Sequence, residues 1–141
     1  MRALIDTCVV IDAMQSRAPF CEDAQKIFLL VANERIEGHL AASSVTDIYY
    51  LMHRHTHSDK EARKVLNTLF HLFGLLDTAG IDCRRALSSA MTDFEDAVME
   101  EAAVRAGMDC IVTRNLKDYE KARMKVYSPP EFLKLVGEDA F

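Results

Sequence analysis

The 141-residue sequence contains no tryptophan, only five glycines and only three prolines. It has no run of the ~18 apolar residues that a membrane-spanning helix requires. Its four cysteines form no CxxC pair, so we expect small buried side chains rather than a zinc or redox site. Half of the residues are hydrophobic and 28% are charged. This composition suits one folded domain and excludes disordered, collagen-like and disulfide-stabilised proteins.

We expect no export signal at the N-terminus, since Asp6 interrupts the stretch where the apolar core of a signal peptide would lie. We therefore expect a cytoplasmic protein without membrane association. The net charge of −5 argues against a protein that binds nucleic acid by bulk charge alone, because such proteins are usually basic. It leaves open an enzyme that cuts nucleic acid, since such an enzyme needs carboxylates to hold a metal ion.

Short apolar segments alternate with helical patterns along the chain. We predict five strands, at residues 3–5, 39–42, 75–76, 110–113 and 126–127. Helix starts are predicted at Pro19, at Ser43 or Ser44, at Ser58, at Asp82, at Thr92 or Asp93, and at Pro129. This alternation is typical of an α/β domain with a short, mainly parallel sheet between helical layers, a three-layer α/β/α arrangement. We expect one domain over residues 1–141.

Acidic residues follow the predicted strands or begin the predicted helices. Ligands of parallel sheets bind beyond the carboxyl ends of the strands, so Asp6 and the segment 113–115 should face that crevice. Asp6 could instead cap the helix after it. Asp47 lies near a helix start in an otherwise apolar stretch, where a carboxylate needs a partner or a metal. Asp93 and Asp96 share one helix face. Their carboxylates either belong to such a site or complement the positive end of the helix dipole.

Several carboxylates in one crevice repel one another, and a hard divalent cation removes that conflict. Mg²⁺ and Mn²⁺ prefer oxygen ligands and are often shared with substrate phosphates. Carboxylates from several distant segments therefore predict metal-dependent hydrolysis of a phosphodiester. The basic segment at residues 114–125 suits a phosphate-backbone substrate, although an ordinary solvated helix face explains the same charges.

Five segments resemble the PIN domain, the ribonuclease fold that includes the VapC toxins of toxin–antitoxin pairs. They follow the family's order and spacing over essentially the whole chain, at Leu4–Asp12, Ser43–Tyr50, Asp93–Ala97, Ile111–Tyr119 and Ser128–Leu133. The resemblance implies a single PIN-like domain and a Mg²⁺- or Mn²⁺-dependent endoribonuclease. It also implies a small antitoxin protein that blocks the crevice, and a homodimer.

By this resemblance the metal-binding catalytic acids are Asp6, Asp47 and Asp96. The fourth ligand is Asn115 or Asp118, because many members have Asp where this chain has Asn115, and Asp118 can supply the missing charge. Asp47 is a second departure, since Glu is usual there. Asp93 and Thr113 are expected to support these acids. Arg114 and Lys117 are expected to contact substrate phosphates, unless they form surface ion pairs.

Two other classes of function stay open. A PIN-like fold with a weakened metal site, given Asn115 and Asp47, could bind RNA or a protein without cutting it. A phosphatase with Asp6 as its nucleophile would lack the second Asp of an Asp-x-Asp motif, because Cys8 stands in that place. A metal site at the three alternating histidines 53, 55 and 57 is a further possibility, and a polar helix end is the simpler interpretation.

Overall fold

The computed structural model describes residues 1–137. Its five strands are β1 (Arg2–Ile5), β2 (Glu37–Ala41), β3 (Gly74–Leu76), β4 (Cys110–Val112) and β5 (Lys125–Tyr127). They form one sheet in the order β3-β2-β1-β4-β5, and every neighbouring pair is parallel. The five strand predictions are thus confirmed, and the sheet is wholly parallel within the described residues. The predicted domain end at residue 141 lies outside them.

Within the described residues, seven α-helices cover the two faces of the sheet. They are α1 (Thr7–Met14), α2 (Cys21–Ala32), α3 (Val45–Thr56), α4 (Asp59–Leu72), α5 (Gly80–Ala86), α6 (Phe94–Arg105) and α7 (Pro129–Val136). Successive side chains of a strand point to opposite faces, so Ala3 and Ile5 of β1 pack into one core and Leu4 into the other. The first core also receives helices α1–α4 and α7, and the second receives α5 and α6. This arrangement confirms the three-layer prediction.

Three helices begin where their capping residues predict. The Ser58 hydroxyl accepts a bond from the Glu61 amide, and the Asp93 carboxylate accepts one from the Asp96 amide. Pro129 is the first residue of α7, as predicted. Local side-chain chemistry is sufficient at these starts because each cap and its partner lie within three residues of one another.

Two predicted starts are displaced, whereas α3 begins directly after Ser44 as predicted, although the Ser44 side chain makes no capping bond to it. Helix α2 begins at Cys21, two residues after Pro19. Helix α5 begins before Asp82, which instead occupies the third helical position and accepts a bond of 2.8 Å from the Ala79 amide. Asp82 is drawn there by an ion pair with Arg105 of α6, a tertiary contact that local patterns do not contain.

The alternating histidines end helix α3. His53 and His55 lie in its last turn, and His57 follows it with a left-handed backbone conformation. The His53 ring stacks on Tyr49, with ring centroids 5.8 Å apart. The polar helix end is therefore the interpretation that the structure supports. Within residues 1–137, no helix is both long and apolar enough to cross a membrane.

Candidate active site

The carboxyl ends of β1 and β4 lie side by side and bring two distant segments together. Ile5 and Val112 are paired in register, and the Asp6 amide donates a bond of 2.9 Å to the Val112 carbonyl. The next residues along the two strands, Asp6 and Thr113, are therefore neighbours at this edge of the sheet. This is the position at which parallel sheets bind their ligands.

Asp6 is held by contacts to both of its carboxylate oxygens. The buried Thr113 hydroxyl donates a bond of 2.7 Å to Oδ2, and the Thr7 amide donates one of 2.8 Å to Oδ1. Asp6 is also the capping residue of α1. The Cys8 thiol makes a longer contact of 3.8 Å to Oδ2. The two interpretations of Asp6, as a helix cap and as a site residue, are compatible because Oδ1 keeps a second lone pair for another ligand.

Asp96 is held from the opposite side, in the first turn of α6. The Tyr119 hydroxyl donates a bond of 3.1 Å to Oδ1 of Asp96, and Tyr119 is itself buried. Burial, followed by the negative charges of Asp93 and Asp6, raises the pKa of Asp96 to about 6, and the bond from Tyr119 acts in the opposite direction. Asp96 therefore lies where negative charge is already concentrated.

These segments enclose a cleft of about 490 Å³. The walls of this cleft contain all five side chains that were predicted to hold the metal: Asp6, Asp47, Asp96, Asn115 and Asp118. Asp93, which was predicted to support them, also lines the cleft. Thr113 lies buried behind Asp6. Both candidates for the fourth ligand, Asn115 and Asp118, border the same cleft because a single short 3₁₀ turn carries Asp118 back beside it.

Two charged residues of the cleft were missed by sequence reasoning. Glu95 lines it, and burial, followed by the charges of Asp47 and Asp93, raises the pKa of Glu95. The signal was available, because three acids occur within the four residues 93–96. Arg54 is the other, and it lies seven residues after Asp47, a spacing that puts both on one face of α3.

The two predicted phosphate contacts have different surroundings. Arg114 does not line the cleft, and its guanidinium pairs with the buried Asp12 through bonds of 2.5 and 3.2 Å. The same guanidinium lies 4.1 Å from the centre of the Phe20 ring. Lys117 is exposed on the turn between Asn115 and Asp118. Lys117 therefore stays available to a phosphate, whereas Arg114 is engaged within the fold.

The donor set of the cleft suits a hard cation. Its acidic and amide ligands offer only oxygen, and burial together with Asp6 raises the pKa of the nearby Cys8 thiol, which favours its protonated form. Within residues 1–137, no group of three or more His, Cys, Asp or Glu side chains is arranged to hold a metal ion. Mg²⁺ does not require such a group, because it keeps several waters and takes only one or two carboxylates directly. The residues present therefore fit such an ion.

A sequence model of the PIN domain matches residues 2–117, and the chain belongs to that family. No curated protein shows significant sequence similarity to it. Similarity to solved structures extends over nearly the whole chain. VapBC2 from Rickettsia felis, bound to a DNA fragment from its promoter, is 11% identical with a TM-score of 0.69. That match covers 91% of this chain and 98% of the other.

Two further structures share the fold. A toxin–antitoxin complex from Klebsiella pneumoniae is 20% identical with a TM-score of 0.65, over 90% of this chain and 97% of the other. VapC20 from Mycobacterium tuberculosis, a toxin that cleaves the sarcin–ricin loop, is 11% identical with a TM-score of 0.63. The VapC20 match covers 87% of this chain and 98% of that one. At these identities the comparison supports the PIN fold itself.

Proposed function

We propose that this protein is a metal-dependent endoribonuclease and the toxin of a VapBC-like toxin–antitoxin pair. The observation that carries the proposal is the cleft in which carboxylates from four separate segments meet at the carboxyl edge of the sheet. Their mutual repulsion contributes to the raised pKa values of Glu95 and Asp96. A divalent cation relieves that repulsion and at the same time attracts a phosphodiester.

The side chains that would hold Mg²⁺ or Mn²⁺ are Asp6, Asp47, Asp96 and Asp118, with the amide oxygen of Asn115. Such an ion, when bound, lowers the pKa of a coordinated water and offsets the charge that develops on the phosphate. The chain itself orients the acids: Thr113 and Thr7 fix Asp6, and Tyr119 fixes Asp96. Prior orientation of this kind limits the reorganisation that catalysis requires.

Arg54 gives the cleft its one basic side chain among the described lining residues. A guanidinium can bind two phosphate oxygens at once, so Arg54 is suited to hold the substrate phosphate beside the acids. Exposed Tyr50 lies on the same wall and offers a ring on which a base can stack. These two residues and Lys117 supply the RNA contacts that we assign to the cleft.

The partners follow from the same proposal. Two of the similar structures contain VapBC or a toxin–antitoxin complex, which supports a small antitoxin protein that covers the cleft of this chain as well. We also propose a homodimer and a cytoplasmic location, where RNA substrates are found. PIN-family membership favours this nuclease over a phosphatase with Asp6 as nucleophile.

Cleavage of a mixed pool of structured RNAs by the purified protein tests the proposal. The assay compares Mg²⁺, Mn²⁺ and EDTA, and runs an Asp6→Asn/Asp96→Asn double variant in parallel. We expect cleavage that requires metal and disappears in the variant, with 5′-phosphate and 3′-hydroxyl ends. Products that end in a 2′,3′-cyclic phosphate, or cleavage that survives EDTA, would point to a contaminating ribonuclease and reject the site assignment.

One observation favours a second function, in which the cleft binds RNA or a protein without cutting it. Asn115 contributes no charge, and no group of three or more acidic, His or Cys side chains in residues 1–137 is arranged to hold a metal ion. Calorimetric titration with Mg²⁺ and Mn²⁺ separates the two functions. Measurable binding that is lost in the double variant supports the enzyme, whereas no metal binding together with retained RNA affinity supports the binding module.

A further inference from the structure

A second depression, of about 460 Å³, lies beside the cleft and serves no purpose in the scheme above. The same two segments border both. Helix α6 contributes Asp96 to the cleft and Glu100 to the depression. The turn that follows β4 contributes Asp118 to the cleft and Lys121 to the depression, and Arg85 of α5 closes the far side. The two depressions are therefore consecutive along one surface.

The acids of this depression are hydrogen-bonded within the fold. Glu100 is buried and accepts bonds of 2.7 and 3.1 Å from the amides of Arg123 and Met124. Glu101 is also buried and accepts a bond of 2.6 Å from the Arg123 guanidinium. Arg123 is thus paired with both glutamates, as Arg114 is with Asp12. The structure divides the basic segment into cations that hold the fold and cations that do not.

Lys117 and Lys121 of that segment belong to the second group, and Arg85 of α5 is a further exposed cation beside the depression. None of them forms a hydrogen bond or ion pair with its side chain anywhere in residues 1–137. Asp82, three residues before Arg85 in the chain, already pairs with Arg105. Their charges therefore face solvent and attract a polyanion, which releases its counterions on binding.

The cleft and the depression are close enough for one nucleic-acid strand to cross both. On α6 the step from Asp96, which lines the cleft, to Glu100, which lines the depression, spans four residues, a helical rise of about 6 Å. That rise equals about two nucleotide steps of a stacked strand, at about 3.4 Å per step. In the sequence, Lys117 lies between Asn115 and Asp118 of the cleft, and Lys121 lines the depression.

We propose that Lys117, Lys121 and Arg85 form a phosphate track, which holds the RNA strand on one side of the cut. The track rests on the proposed function, since it takes the substrate to be RNA whose scissile phosphate lies in the cleft. The preferred ligand is then an RNA strand that extends past the cleft. Contacts this far from the reacting phosphate act on binding and positioning rather than on the chemical step.

A Lys121→Gln/Arg85→Gln variant tests the track. A Lys64→Gln/Lys134→Gln variant is the matched control, because it removes the same charge from exposed positions on α4 and α7, across the sheet. Affinity for a labelled single-stranded RNA of mixed sequence is measured across a salt series with Mg²⁺, in an Asp96→Asn background that prevents cleavage. Circular dichroism verifies that each variant is folded.

The track variant should lose roughly fivefold in affinity for each contact at about 0.1 M salt, or about 25-fold in all. The slope of log affinity against log salt should fall in magnitude by about 1.4, since each contact with a single strand contributes about 0.7. In the background with an intact Asp96, KM for a long RNA should rise with kcat unchanged. The control variant should change affinity by less than about twofold.

The outcomes separate the track from the nuclease. If the intact enzyme cleaves RNA but the track and control variants have equal salt slopes, the track is rejected and the nuclease stands. If RNA is not cleaved under any condition but the track variant loses affinity and slope, the track stands as a binding surface and the nuclease is rejected. Absence of RNA binding in all variants overturns both proposals.

Discussion

The Thr113 hydroxyl donates a 2.7 Å hydrogen bond to Oδ2 of Asp6, across 107 residues of sequence. Both residues follow directly on paired residues of adjacent parallel strands, and Thr113 is wholly buried. The Asn115 amide in turn donates a bond of 3.0 Å to the Thr113 oxygen. A single threonine thus links the first acid of the cleft to the loop that carries Asn115 and Asp118, the two candidates for a fourth ligand.

Replacement of Thr113 by valine should lower RNA cleavage about 10- to 100-fold. Valine has nearly the same shape but cannot donate a hydrogen bond to Asp6. Loss of a hydrogen bond to a metal-binding side chain typically lowers metal affinity or activity about 10- to 100-fold. Thr113→Ser, which keeps the hydroxyl, should retain most of the activity. Equal activity of the valine and serine variants, at equal thermal stability, would show that the hydroxyl does not orient Asp6.

The pKa of Asp96 predicts a pH-dependent stability in the absence of metal. Burial and nearby carboxylates raise this pKa from 3.8 to about 6, so between these values the folded protein binds more protons than the unfolded chain. The contribution of Asp96 to the free energy of unfolding is therefore fully present at low pH and is lost as pH rises through about 6.

Urea denaturation in EDTA across this pH range measures the effect. We expect the Asp96→Asn variant to become more stable relative to the wild type as pH rises from about 4 to about 6. Saturating Mg²⁺ should reduce the difference, because a bound cation stabilises the ionised carboxylate. A constant difference between the two proteins at every pH in EDTA would show that Asp96 titrates normally.

The identity of the fourth ligand can be tested by adding or removing one charge. Asn115→Asp should bind Mg²⁺ more tightly and Asp118→Asn more weakly, because each changes the negative charge of the same cleft by one unit. Isothermal titration with Mg²⁺ measures both. A tighter Asn115→Asp variant with an unaffected Asp118→Asn variant would exclude Asp118 from the ligand set.

The ion pair between Arg114 and Asp12 should matter for stability rather than for RNA contact. Arg114→Leu leaves Asp12, which is only 1% exposed, without its partner, and should lower the free energy of unfolding by about 3 kcal/mol. Asp12→Asn/Arg114→Leu should recover part of that loss. Urea denaturation measures the effect. Cleavage per folded molecule should be unchanged, and a loss of RNA affinity in the folded variant would instead assign Arg114 to the substrate.

Much of the fold was predictable because its signals are local. Each strand is a short apolar run between helical patterns, and the starts at Ser58, Asp93 and Pro129 depend on contacts within three residues. The displaced start near Asp82 shows the limit of such signals, since its position depends on an ion pair with Arg105, 23 residues away.

The sequence by itself determined which acids end strands or begin helices, because a parallel sheet places those positions at one edge. Only the tertiary structure decided which charges face that edge. Glu95 and Arg54 line the cleft although the sequence did not predict it, whereas Arg114 pairs with Asp12, 102 residues earlier in the chain. The physical reason is that a buried charge must find its partner across the folded core, and that choice depends on packing between segments that no local pattern connects.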